Sequence, residues 1–125
     1  MNEVNMQAVT RDSYADEVLG ASYSQPIVVD FWGPRCGPCL AMMPWVEALA
    51  GEVADSVKIV KLNSAENRRL CIDLRVLGLP TFLIYRDGQE IRRLTGDGCT
   101  PTTIAEAIRQ VAPRVAGSAT LASAG

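Results

Sequence analysis

Ile27-Val28-Val29-Asp30-Phe31-Trp32-Gly33-Pro34-Arg35-Cys36-Gly37-Pro38-Cys39 decides how the rest of the chain is read. Its first six residues are β-prone and apolar on both faces except at Asp30, the pattern of a central strand covered on both sides. Gly33-Pro34 turns the chain, and over 37–53 a helix is expected. There Cys39, Met43, Val46, Leu49, Ala50 and Val53 recur on one face at spacings of three and four. Pro44 removes one amide donor and should kink that helix without ending it. Cys36 and Cys39 thus stand where a buried strand gives way to a helix N-terminus. Free amides and the positive dipole end stabilise a thiolate there, so Cys36 should ionise more readily than an ordinary thiol at ~8.5. Arg35 adds a cation beside it. The spacing brings the two sulfurs within reach of a reversible bond, and Gly37 and Pro38 constrain the turn without setting a bulky or charged group over them.

Outward from this stretch, residues 12–19 carry a capping residue, early acidic residues and apolar spacing suited to a short helix. A second apolar strand is expected over 57–62 and a short helix over 66–74. The runs 81–86 and 89–94 flank Asp87-Gly88, a strong signal for a tight antiparallel hairpin. Thr100-Pro101 supplies an N-cap and a proline at the first helical position, and Ile104, Ile108 and Val111 make an apolar stripe to about residue 112. The stretch 4–9 is a candidate edge strand. Strand–helix–strand followed by a hairpin implies an α/β domain with one mixed sheet of four or five strands and helices on both faces. That domain is expected over 1–112, followed by a mobile low-complexity tail over 113–125.

The whole chain is compatible with one soluble globular domain. Its 125 residues suffice for a real core, and an apolar share of 48% against 21% charged argues against disorder. A net charge of −2 gives no reason to expect nucleic acid or an anionic membrane as partner, since both reward basic patches. No run approaches the ~20 apolar residues of a membrane span, and Met1 to Gln7 lack the basic start and apolar core of a signal peptide. A cytoplasmic protein is therefore expected, in which cysteines are reactive, metal-binding or incidental before they are a disulfide framework. The absence of histidine removes every Cys–His or Ser–His nucleophile pair and every histidine metal site. A zinc half-site at Cys36 and Cys39 lacks a second close pair, because Cys71 and Cys99 stand apart. Cys71 reads as a buried apolar residue. Cys99, in the turn after Gly96-Asp97-Gly98, reads as more exposed and open to a regulatory or dimer-forming role.

The chain resembles the thioredoxin family over nearly all of residues 4–112. The resemblance rests on Val-Asp-Phe-Trp at 29–32, Cys-Gly-Pro-Cys at 36–39, Pro44, Lys61, Gly-Leu-Pro-Thr at 78–81, the Asp-Gly hairpin and Gly96, in the family's order and approximate spacing. It implies the thioredoxin fold and reduction of protein disulfides, with Cys36 as attacking nucleophile and Cys39 as resolving thiol. Asp30 is similar to the family's buried aspartate under the second cysteine, a proton acceptor whose pKa burial should raise. Lys61 resembles the lysine that pairs with it. Pro80, after Leu79, looks like the family's cis-proline opposite the disulfide, shaping the groove for substrate backbone, and Gly96 resembles another wall of that groove.

The redox centre would be the protein's own cysteine pair, so no bound cofactor is expected. The implied partners are protein disulfides and a thioredoxin reductase as electron donor, with the protein itself a monomer. Two positions depart from the family pattern: Arg35 where tryptophan is usual, and Leu40 where lysine is usual. Arg35 replaces a flat apolar contact with a cation and should shift preference toward acidic or otherwise specialised substrates. A disulfide oxidase or isomerase is disfavoured by Gly-Pro between the cysteines. A thioredoxin-fold binding module with a non-essential redox pair is the alternative from a different class.

Overall fold

In a computed structural model, residues 6–112 are described. The tail expected over 113–125 and the first two residues of the candidate edge strand lie outside them. Four strands form one sheet in the order β2-β1-β3-β4: β1 (Ile27–Trp32), β2 (Lys58–Asn63), β3 (Thr81–Arg86) and β4 (Gln89–Thr95). β1 pairs parallel with β2 and antiparallel with β3, and β4 closes the hairpin on β3. Among the described residues the edge strand shows as one parallel bridge, Ala8 to Lys61, held by Val9 N donating to Lys61 O (2.9 Å) and Lys61 N donating to Gln7 O (3.0 Å).

β1 is central as its unbroken apolar run requires, with Ile27 to Phe31 all buried. Alternation divides its side chains between two cores. Val28 joins Ile59, Phe82 and Ile84 beneath Val46 and Ala50 of α1 (Gly37–Glu52) and Ile104, Ala107 and Ile108 of α3 (Pro101–Val111). Ile27, Val29 and Phe31 pack on the other face with Tyr14, Val18 and Cys71, under the N-terminal helical segment and α2 (Arg68–Leu74). The same alternation puts Asp30 on the α1 side. Its parallel register partner is Lys61, one strand away.

Local signals act where they were read. Thr100 Oγ1 accepts from Thr103 N (3.1 Å) while Thr103 Oγ1 accepts from Thr100 N (3.0 Å), a reciprocal cap that starts α3. Asp87 and Gly88 both take positive φ, 54° and 81°, as the tightest hairpin turn demands. Ser22 pins that turn, its carbonyl accepting from Asp87 N (2.9 Å) and its hydroxyl from Gly88 N (2.7 Å). The helix expected over 12–19 is instead wound wide over Ala15–Gly20 and tightens to a 3₁₀ turn at Ala21–Tyr23. The helix expected over 66–74 divides into a 3₁₀ turn, Ser64–Glu66, and α2. α1 runs through Pro44 unbroken. Among the described residues no helix is long and apolar enough to cross a membrane.

Candidate active site

β1 ends at Trp32, β2 at Asn63 and β4 at Thr95, while β3 begins at Thr81. The registers Trp32–Asn63, Phe31–Thr81 and Thr81–Thr95 put those four ends along one edge of the sheet. The residues the sequence singled out for chemistry are in or beside the loops at that end of the sheet, apart from Asp30 and Lys61, which stand side by side within the strands. Cys36 is the N-cap of α1; its sulfur accepts from Cys39 N (3.2 Å), so the first sulfur sits against a free amide of the helix start. Cys36 and Cys39 are joined as a disulfide with Cα atoms 5.3 Å apart. Cys36 is half-buried, whereas Cys39, on the inner face of α1, is only 2% exposed. One sulfur can meet a partner molecule and the other cannot without the first. Gly37 and Pro38 are exposed at the helix start.

Asp30 and Cys39 share the layer between the sheet and α1. With 2% of its surface exposed, the Asp30 carboxyl is pushed up from 3.8 to about 7 by burial, opposed by the positive charge of Lys61. Lys61 does not make the ion pair the resemblance implied. Its ammonium lies 4.0 Å from Glu47 Oε2, and Glu47 is the only carboxylate within that distance among the described residues. The reason is reach: Lys61 is partly exposed at the α1 side, where the helix presents Glu47 in a wetter setting than the buried Asp30. Lys61 therefore acts on Asp30 through its field and not through contact.

The Leu79–Pro80 bond is cis. The Pro80 carbonyl accepts from Gly96 N (2.8 Å) and, more weakly, from Cys99 Sγ (3.6 Å), tying the proline loop to the end of β4. Gly96 takes φ +55°, which a side chain resists, and the space where one would stand is open. Cys99 corrects the sequence reading. It is buried in the α1–α3 core, and burial together with nearby Asp30 pushes its thiol up to about 11. Gly96 N and Cys99 Sγ, at the two ends of the turn, both reach the Pro80 carbonyl, so the Cys99 side chain is drawn inward while Asp97 and Gly98 stay exposed. Cys71 is buried as expected, and both cysteines are free.

Beside Cys36 opens a groove of about 500 Å³ lined by Gly33, Pro34, Arg35, Cys36, Leu79 and, from beyond β2, Ala65 and Arg68. Of the residues expected to meet substrate, Arg35 and Leu79 line it with Cys36. Gly37, Pro38, Pro80 and Gly96 do not. The sequence singled out neither Arg68 nor Glu47 for the site, and no local pattern marks either one.

An accessible sulfur that can pair reversibly with a shielded one, over a carboxyl able to exchange a proton near neutrality, suits one chemistry: two-electron exchange between dithiol and disulfide. Fold and site together define a thiol–disulfide oxidoreductase. The Thioredoxin family profile matches residues 5–110. A thioredoxin of Acetoanaerobium sticklandii is 37% identical over 106 residues, covering 84% of this chain and 98% of that protein. Thioredoxin 1 of Synechococcus elongatus is 38% identical over 101 residues, covering 81% and 92%. The solved thioredoxin of Fasciola hepatica superposes with a TM-score of 0.76 at 30% identity, over 85% of this chain and 99% of that one. The chain belongs to the thioredoxin family.

Proposed function

We propose that this protein reduces disulfides in other proteins, cycling Cys36 and Cys39 between dithiol and disulfide. The Cys36 thiolate attacks one sulfur of a target disulfide. The target S–S bond breaks, a mixed disulfide forms, and the departing target sulfur takes up a proton. Cys39 gives its proton to the Asp30 carboxylate and attacks Cys36 Sγ. The mixed disulfide breaks, the second target thiol leaves, and Cys36–Cys39 closes. The target gains the two electrons that the cysteine pair loses, so the protein needs no other redox group in this step. The observation that carries the reading is the asymmetry of the pair: a reachable sulfur at a helix start and a shielded one in the layer above Asp30. Leu79, Pro80 and Gly96 would bound the substrate backbone.

A thioredoxin reductase would restore the dithiol, and the protein would act as a monomer in the cytoplasm. Two free cysteines, Cys71 and Cys99, suit a reducing compartment. The test is trapping. Cys39→Ser should accumulate a mixed disulfide with a protein disulfide substrate through Cys36, and Cys36→Ser should form none. Equilibration of the unaltered protein with dithiothreitol buffers should show one two-electron transition at a reducing potential. A strongly oxidising potential would turn the reading to a disulfide oxidase, and no reversible pair would abolish it.

A further inference from the structure

The groove beside Cys36 has a cation on either side. Arg35 comes from the loop before α1, and Arg68 from the start of α2, 33 positions later in the chain. Both are exposed, and among the described residues neither guanidinium lies within 4.0 Å of a carboxylate or donates a hydrogen bond. Two other arginines are already engaged: Arg69 faces Asp73 at 3.9 Å, and Arg93 is bound to Glu90 at 2.7 Å. No acidic residue lines the groove. Asp12 and Glu66 lie in the adjoining recess, where Arg11, Arg68 and Arg69 outnumber them. In a chain of net charge −2, this is a local inversion of sign at the mouth of the reactive sulfur.

The third element of the groove is Leu79, an apolar side chain whose main-chain N–H and C=O bond nothing among the described residues. Unpaired main-chain groups beside an apolar wall suit an extended polypeptide more than a small thiol. Unpaired guanidiniums suit carboxylates, which they can take bidentately.

We propose that Arg35 and Arg68 together select disulfides borne on acidic polypeptide segments, with Asp or Glu flanking the cysteine that Cys36 attacks. The inference rests on the reductase reading and names its substrate class. Arg68 is the specificity residue that the sequence did not disclose. Pairing at an open rim acts mainly on encounter, so the preference should fall as salt screens it.

The test compares kcat/KM for two cyclic peptide disulfides of one sequence, with flanking Glu residues in one and Gln in the other, and for oxidised glutathione. The unaltered chain should favour the Glu peptide about ten-fold at low salt, and Arg35→Gln or Arg68→Gln should each reduce that ratio about three-fold. The double variant should bring it near one, Arg68→Lys should retain part of it, and Arg68→Glu should favour the Gln peptide. The ratio isolates recognition, because any effect of Arg35 on the Cys36 thiolate enters both rates alike. Equal rates on the two peptides, or a ratio that survives the double variant, overturn the inference and leave the reductase reading standing. Arginine dependence confined to oxidised glutathione also overturns it, in favour of a small acidic thiol. No exchange with any of the three overturns both readings.

Discussion

Asp30→Asn should stabilise the protein, by an amount that grows with pH. A carboxyl whose pKa is 3.8 in the unfolded chain and about 7 in the folded one binds its proton more tightly when folded. The stability carried by the protonated form is therefore complete below 3.8 and is lost as pH climbs through about 7. Each pH unit between those values removes about 1.4 kcal/mol, so the full loss by pH 8 is about 4 kcal/mol. That is a large fraction of the roughly 5–15 kcal/mol that holds a domain folded. Asparagine has nearly the same shape and no charge, so it resembles the protonated aspartate at every pH. Urea unfolding of both proteins at pH 4, 5, 6, 7 and 8, with Cys36–Cys39 kept as the disulfide so that neither thiol titrates, should give curves that meet near pH 4 and diverge above it. The charges facing Asp30 are those of Lys61 and, behind it, Glu47, while the Cys99 thiol stays neutral throughout this range. A constant offset between the two proteins, or a wild type as stable as the variant at pH 8, would refute the burial argument. Kinetically the same substitution should slow release of substrate from the mixed disulfide, most of all above pH 7 where the carboxylate would otherwise accept the proton.

Tyr14 Oη donates to Tyr85 Oη at 2.8 Å in the core, so Tyr85→Phe should cost about 1–3 kcal/mol by orphaning a buried donor, while the double Tyr→Phe variant should cost less than the two single changes combined; additive urea midpoints would contradict this. Arg75 closes α2 in the left-handed region at φ 61°, so Arg75→Gly should raise stability by about 0.5–1 kcal/mol, and a fall in the unfolding midpoint would show that the strain lies elsewhere. In the reduced native protein at pH 8, iodoacetamide should modify Cys36 first. Cys99, with its thiol near 11 and ~0.1% ionised, should react only on unfolding, as peptide mass mapping over time can show.

The parts of this protein that were legible in its sequence are those set by local or periodic physics. A strand covered on both sides has few ways to be written, and β1 is apolar wherever it must be. The Asp-Gly turn, the Thr100 cap and the cysteine pair at a helix start each need particular residues at fixed offsets. What stayed hidden depends on distance across the fold. Lys61 and Asp30 are register partners, but which carboxylate the lysine meets is set by how far α1 leans Glu47 over the sheet. Cys99 looked exposed because Gly96, Asp97 and Gly98 precede it. Only the cis-proline loop folded beneath that turn shows that its sulfur points inward. Arg68 was one of two adjacent arginines, and nothing local separates the one lining the groove from Arg69, which faces Asp73.

The division between edge and interior explains how selection and chemistry can vary separately here. Arg35 and Leu79 reach the groove from loops and Arg68 from the start of α2, and both arginines are exposed. Changing them alters a solvated rim, where substitutions ordinarily move stability by less than about 0.5 kcal/mol. Asp30 and Cys39 lie in the layer between sheet and α1, where a charge costs several times that. The carboxyl is retained at a position where an apolar or neutral residue would make a firmer domain. Its stability cost is tolerable because Val28, Phe82, Ile84 and the inner face of α3 fill the same layer. On this argument, selection for new partners should act through the loop positions, while any replacement of Asp30 exchanges rate for stability.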